Sequence, residues 1–142
     1  MNMSMEQFSC LVGEILMYCQ CIEHDVKRIY AFMSGGDEED NLYLMEKEKW
    51  TLGQTVTELK SYDESAGGTP LFTKEDYDIL FQIVRYRNYY AHQVYLGFVY
   101  EDEEDKFERS FNKAADKAVA DKKLLSSLYG RVEDARIRYT EE

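Results

Sequence analysis

Residues 5–33 read MEQFSCLVGEILMYCQCIEHDVKRIYAFM. Apolar side chains fall at Phe8, Leu11, Val12, Ile15, Leu16, Cys19, Ile22, Val26, Ile29, Tyr30 and Met33. The steps are one, three or four residues, which lines up one face of an α-helix. Ser4 followed by Gln7 makes a capping box ahead of it, and Met3 with Phe8 occupies the two positions of a hydrophobic staple. The run Ser34-Gly35-Gly36, followed by Asp37-Glu38-Glu39-Asp40, ends the helix in a solvated loop.

The rest of the chain continues the helical pattern. A shorter second helix is predicted over Glu46 to Tyr62, with Trp50, Val56 and Leu59 as its apolar contacts. Gly53 lies inside it and costs about 1 kcal/mol relative to alanine, for which close helix–helix approach is one reason. Residues 64–70, ESAGGTP, form the clearest loop. Thr73 then caps a third helix, with Asp76 three residues on and Phe72 and Tyr77 as a second staple. Tyr77, Leu80, Ile83, Val84, Ala91 and Val94 carry this helix to about Tyr95. The acidic run 101–105 suits the start of a fourth helix, where negative charge favours the dipole. That helix is predicted from near Asp105 to about Tyr139, with Phe107, Phe111, Ala114, Ala118, Leu125, Leu128, Val132 and Ala135 on its apolar side, and Gly130 as a point where it bends or ends. Two long and two shorter amphipathic helices describe an all-α, antiparallel four-to-five-helix bundle.

The chain has 142 residues, which suits one domain over 1–142. With 44% hydrophobic residues it can fill a core, and a net charge of −11 argues against a dedicated polyanion binder. No apolar run approaches the roughly 18 residues needed to cross a bilayer, and the first eight residues lack the basic region of a signal peptide. Cys10, Cys19 and Cys21 are odd in number and badly spaced for pairing on one helix, so they read as free thiols in a reducing cytoplasm. His24 is the one candidate metal ligand beside them, and no metal or cofactor is expected.

The chemistry concentrates late in the third helix: Arg85-Tyr86-Arg87-Asn88-Tyr89-Tyr90-Ala91-His92-Gln93-Val94-Tyr95. Arg87 continues the inward stripe, which is costly unless it is paired or lines a cleft. Asn88 and His92 are four apart and share a face, and Tyr95 follows one turn later. Arg87 and His92, five apart, lie about 140° apart in a regular helix, and a π-bulge or kink would bring them closer. Arg87-Asn88-x-x-x-His92 resembles the Arg-x(4–6)-His signature of HEPN domains.

The resemblance implies a small helical bundle, commonly dimeric, in a family that includes metal-independent endoribonucleases. Many of those serve as toxins or in phage defence beside a minimal nucleotidyltransferase antitoxin. The residue types fit such chemistry. Histidine changes charge near neutral pH, so His92 can serve as base and as acid. Arg87 can hold phosphate in a bidentate grip, and Asn88 can hold a phosphate oxygen or orient His92. A two-fold homodimer would bring two such sets together. In the toxins whose pattern continues His-x-Tyr, the tyrosine receives a nucleotide from the antitoxin. Here Val94 stands in that place and Tyr95 comes one later, a departure that puts silencing by AMPylation in doubt.

Charge read by segment softens the case against RNA. From Asp105 to Arg138 there are nine basic residues against six acidic. Lys113, Lys117, Lys122 and Lys123 are candidate backbone contacts there, and tyrosines such as Tyr86, Tyr89 and Tyr95 can stack on bases or belong to the core. Two readings follow: an endoribonuclease with Arg87, Asn88 and His92 catalytic and Tyr95, Lys113 and Lys117 on the RNA, or a non-catalytic module of the same type binding nucleotide, RNA or protein.

Overall fold

The computed structural model describes residues 3–140, and no strand occurs among them. Ser4 caps the first helix as its sequence dictates: its hydroxyl accepts the Gln7 N–H at 3.1 Å, and the Gln7 side chain accepts the Ser4 N–H at 2.9 Å. The five helices are α1 (Met5–Met33), α2 (Glu38–Lys47), α3 (Leu52–Ser65), α4 (Lys74–His92) and α5 (Glu104–Thr140), with a 3₁₀ turn at Tyr95–Gly97. No helix among the described residues is long and apolar enough to cross a membrane.

The predicted stripe of α1 is buried. Phe8, Ile15, Cys19, Ile22, Val26 and Ile29 lose all solvent contact, and α1 packs against each of the other four helices. Each such large aliphatic or aromatic side chain contributes roughly 1.5–3 kcal/mol. On α5, Phe111, Ala118, Leu125, Leu128, Val132 and Ala135 meet it. The cross-contacts Phe8–Phe111, Glu14–Lys122, Tyr18–Tyr129 and Asp25–Arg136 advance together along both helices, so α1 and α5 run parallel. Glu23–Arg87 and Ser9–Tyr95 advance in opposite senses, so α4 is antiparallel to α1. Asp76–Arg131 and Tyr90–Asp121 make α4 antiparallel to α5 as well.

The middle of the chain departs from the sequence reading. The segment expected to open with a solvated acidic loop forms α2 from Glu38, because Asp37 accepts the Asp40 N–H at 3.0 Å and three acids occupy the first turn. The single helix expected over Glu46–Tyr62 is broken at 48–51. Lys49 there adopts a positive φ of 56°, and Thr51 with Gln54 starts α3 through a second capping box. Gly53 consequently sits in the first turn of α3, and no other helix approaches it: a Cβ there would meet only the Thr51 hydroxyl at 3.8 Å. At the other end of the chain, α5 passes through the exposed Gly130 without ending. On α4, Tyr90 takes the buried place expected of Ala91, which is exposed.

Three buried aspartates fasten elements together. Asp76 receives Arg131 in a bidentate grip, with Nε 3.1 Å from both oxygens and Nη2 2.7 Å from Oδ1. Asp25 of α1 faces Arg136 of α5 at 3.4 Å. Asp63, near the end of α3, accepts the N–H groups of Leu71 and Phe72 and the Tyr77 hydroxyl, which closes the loop into α4. Burial, reinforced by that bond to Asp63, keeps the Tyr77 phenol protonated.

Replacing Asp63 by alanine strands two backbone donors and a phenol at once. The expected loss is about 3 kcal/mol in urea unfolding at pH 7. A loss under about 1 kcal/mol would show that the α3–α4 loop does not depend on this carboxylate.

Candidate functional site

Helix α4 is regular through the whole motif and ends at His92. The wider i to i+5 bond comes only afterwards, where the Val94 N–H joins the Gln93 N–H on the Tyr89 carbonyl, both at 2.9 Å. No π-bulge therefore draws Arg87 toward His92, and their directions differ by about 140°. The two side chains leave α4 toward different surroundings.

Arg87 points toward α1. Its Nη1 lies 2.5 Å from Oε2 of Glu23, and both side chains are largely covered, at 33% and 21% exposure. Glu23 also takes Lys27 at 3.4 Å, so the carboxylate sits between two cations. Both charges act on Cys19, whose thiol burial pushes up to about 11, with Arg87 opposing the shift and Glu23 adding to it. Cys19 is a protonated, buried thiol, and Cys10 and Cys21 are free as well.

Asn88 and His92 occupy the opposite, exposed side of α4, one turn apart. Neither side chain hydrogen bonds to another described residue. Arg85 belongs with them: seven residues before His92, it projects within about 20° of it. It is exposed, forms no ion pair with another described residue and lines a cleft between α4 and α5. The sequence reading passed over it, although Arg85-x(6)-His92 also satisfies the four-to-six spacing. The signal was the shared helix face.

That cleft has a volume of about 430 Å³ and is lined by Gln82, Arg85, Tyr86, Tyr89, Lys117 and Asp121. Lys117 extends over the tyrosines, 4.6 Å from the Tyr89 ring centre, 5.4 Å from that of Tyr90 and 5.7 Å from that of Tyr86. Its Nζ lies 2.5 Å from Asp121, which also accepts the Tyr90 hydroxyl. Burial and the Asp121 bond raise the Tyr90 pKa, so the phenol stays a donor, and burial raises that of Tyr86. A second cleft of about 270 Å³ continues past Tyr89 and Lys117 to Ser110, Lys113 and Phe98.

The remaining sequence candidates scatter. Lys113 and Lys117 both reach this groove. Tyr95 does not follow His92 on its face: it lies in the 3₁₀ turn, its ring edge-on to Phe8 at 5.6 Å and its hydroxyl donating to Ser9 at 2.8 Å. His24 is exposed beside Asp25 at 3.1 Å, and no metal-binding group of three or more ligands occurs among the described residues. The acidic run 101–105 is exposed. Compared with family models, curated proteins and solved structures, the chain matches none.

The Arg87–Glu23 pair makes a measurable demand. Arg87→Met leaves the largely covered Glu23 without its main partner, and urea unfolding is expected to lose about 1–2 kcal/mol, between the values of exposed and buried pairs. Glu23→Gln added to it is expected to cost much less than in the wild type. Additive single losses would remove the pair from the account.

Proposed function

We propose that this chain is a HEPN-type, metal-independent endoribonuclease acting as a two-fold homodimer in the cytoplasm. The observation that supports this most is the placement of Asn88 and His92, one turn apart on an exposed face of α4 and without a hydrogen bond to another described residue, on the helix whose neighbouring face lines a cleft of cations and tyrosines. In this reading His92 takes the proton of a ribose 2′-hydroxyl. The 2′-oxygen attacks the adjacent phosphorus, the bond to the 5′-oxygen breaks, and a 2′,3′-cyclic phosphate and a free 5′-hydroxyl result. The second chain supplies the acid that protonates the leaving oxygen, since each chain carries one histidine on this face.

The arginine's two tasks divide between two residues. Arg87, bound to Glu23, positions α4, while the free Arg85 stabilises charge on the phosphorane, with Asn88 on a phosphate oxygen. Lys113 and Lys117 follow the strand. The biological setting consistent with such an activity is a toxin or phage-defence effector, with a nucleotidyltransferase antitoxin as its partner. A second reading, a non-catalytic module binding RNA, nucleotide or protein, draws support from Arg87, whose guanidinium already faces Glu23.

Incubation with single-stranded RNA and tRNA, without metal, separates the two. The wild type is expected to yield 2′,3′-cyclic phosphate ends, and His92→Ala to lower the rate at least about a hundredfold. Intact RNA, or cleavage that survives His92→Ala, would sink the ribonuclease reading.

A further inference from the structure

The protein carries a net charge of −11, yet the groove between α4 and α5 gathers Arg85, Lys113 and Lys117 against Asp121 alone among its lining residues. Two of its tyrosines, Tyr86 and Tyr89, are half-buried, so their rings are held in place while part of each surface stays open. Fixed aromatic faces beside mobile cations are the arrangement that takes a base by stacking and its phosphate by charge. The cleft volume of about 430 Å³ falls in the range of small-ligand sites. Small side chains on α5 contribute to the space: Ala114 lines the second cleft beside Lys113 and Lys117.

We propose that the α4–α5 cleft binds one nucleotide unit, its base on Tyr86 and Tyr89 and its phosphate on Arg85 and Lys117. The unit is either part of a single-stranded RNA or a free nucleotide; the second cleft, reached past Tyr89 and Lys117, continues the track for a strand. Lys117 is paired with Asp121 and rests over the three rings. An incoming phosphate takes the lysine from Asp121 and frees the aromatic surface beneath it. Asp121 is thus a gate, and its charge sets the affinity. The identity of the ligand rests on the ribonuclease reading, but the site does not require cleavage.

Binding is measured with a 2′-O-methyl oligonucleotide, which cannot be cut through its 2′-oxygen, and with 5′-AMP as the free nucleotide. Affinity of the wild type for either probe is expected to fall about tenfold or more in Tyr89→Leu and in Arg85→Gln. Arg85 is exposed and has no ion pair with another described residue, so its variant disturbs little of the fold. Asp121→Asn keeps an acceptor for the Tyr90 hydroxyl and releases Lys117; it is expected to tighten binding several-fold. Asp116→Asn, an equal change of charge outside the cleft lining, is expected to do much less. Loss with the oligonucleotide alone assigns the cleft to a strand, and loss with 5′-AMP alone assigns it to a free nucleotide. If neither probe binds the wild type, the proposal is overturned. If RNA is cleaved and bound equally by wild type and Tyr89→Leu, the cleft proposal falls while the ribonuclease reading, which His92→Ala tests, stands.

Discussion

The 29-residue helix α1 carries an apolar stripe that no single neighbour can cover, and enclosing it dictates where everything else goes. Helix α5 runs parallel to it over most of its length and seals one side. Helix α4 runs antiparallel to both, presenting Ile83 and Tyr90 to the core. That rotation has one polar consequence. It turns Arg87 toward α1, where Glu23 receives it, and it turns Arg85, Asn88 and His92 outward. The exposed face that carries Arg85, Asn88 and His92 is what remains of α4 once α1 has been covered.

The buried polar network follows the same constraint. Asp25, Asp63 and Asp76 are each nearly inaccessible, and each is satisfied by a donor from another element or from the next stretch of chain. Such groups are costly to bury alone and strongly orienting when paired. They fix the relative heights of α1, α4 and α5, and so the register of Tyr86 and Tyr89 against Lys117. The cleft owes its shape to that register.

Much of the fold was legible because amphipathic period and capping chemistry are local. The boundaries of α1 and the caps at Ser4 and Thr73 could be read from a few residues each. The break between α2 and α3 was missed for a local reason too: Thr51-x-x-Gln54 repeats the box at Ser4, but a continuous apolar pattern through Trp50 hid it. The site was harder. A linear motif joins Arg87 to His92 by spacing, whereas a regular helix joins Arg85 to His92 by direction. Which arginine is free depends on Glu23, 64 residues away, and no local pattern carries that information. Net charge is likewise no guide to local charge: −11 is a sum over the chain, whereas Arg85, Lys113 and Lys117 gather in one groove.

The central claim is that a nucleotide lies between α4 and α5, on the helix that ends at His92. Its most direct test is photocrosslinking of a short RNA carrying 4-thiouridine to the full chain, followed by mass spectrometry of the adducts. The account predicts adducts on Tyr86 or Tyr89 and on the α5 segment around Lys113–Lys117. Adducts confined to α2 and α3, or none above the background given by a free nucleoside, would contradict it.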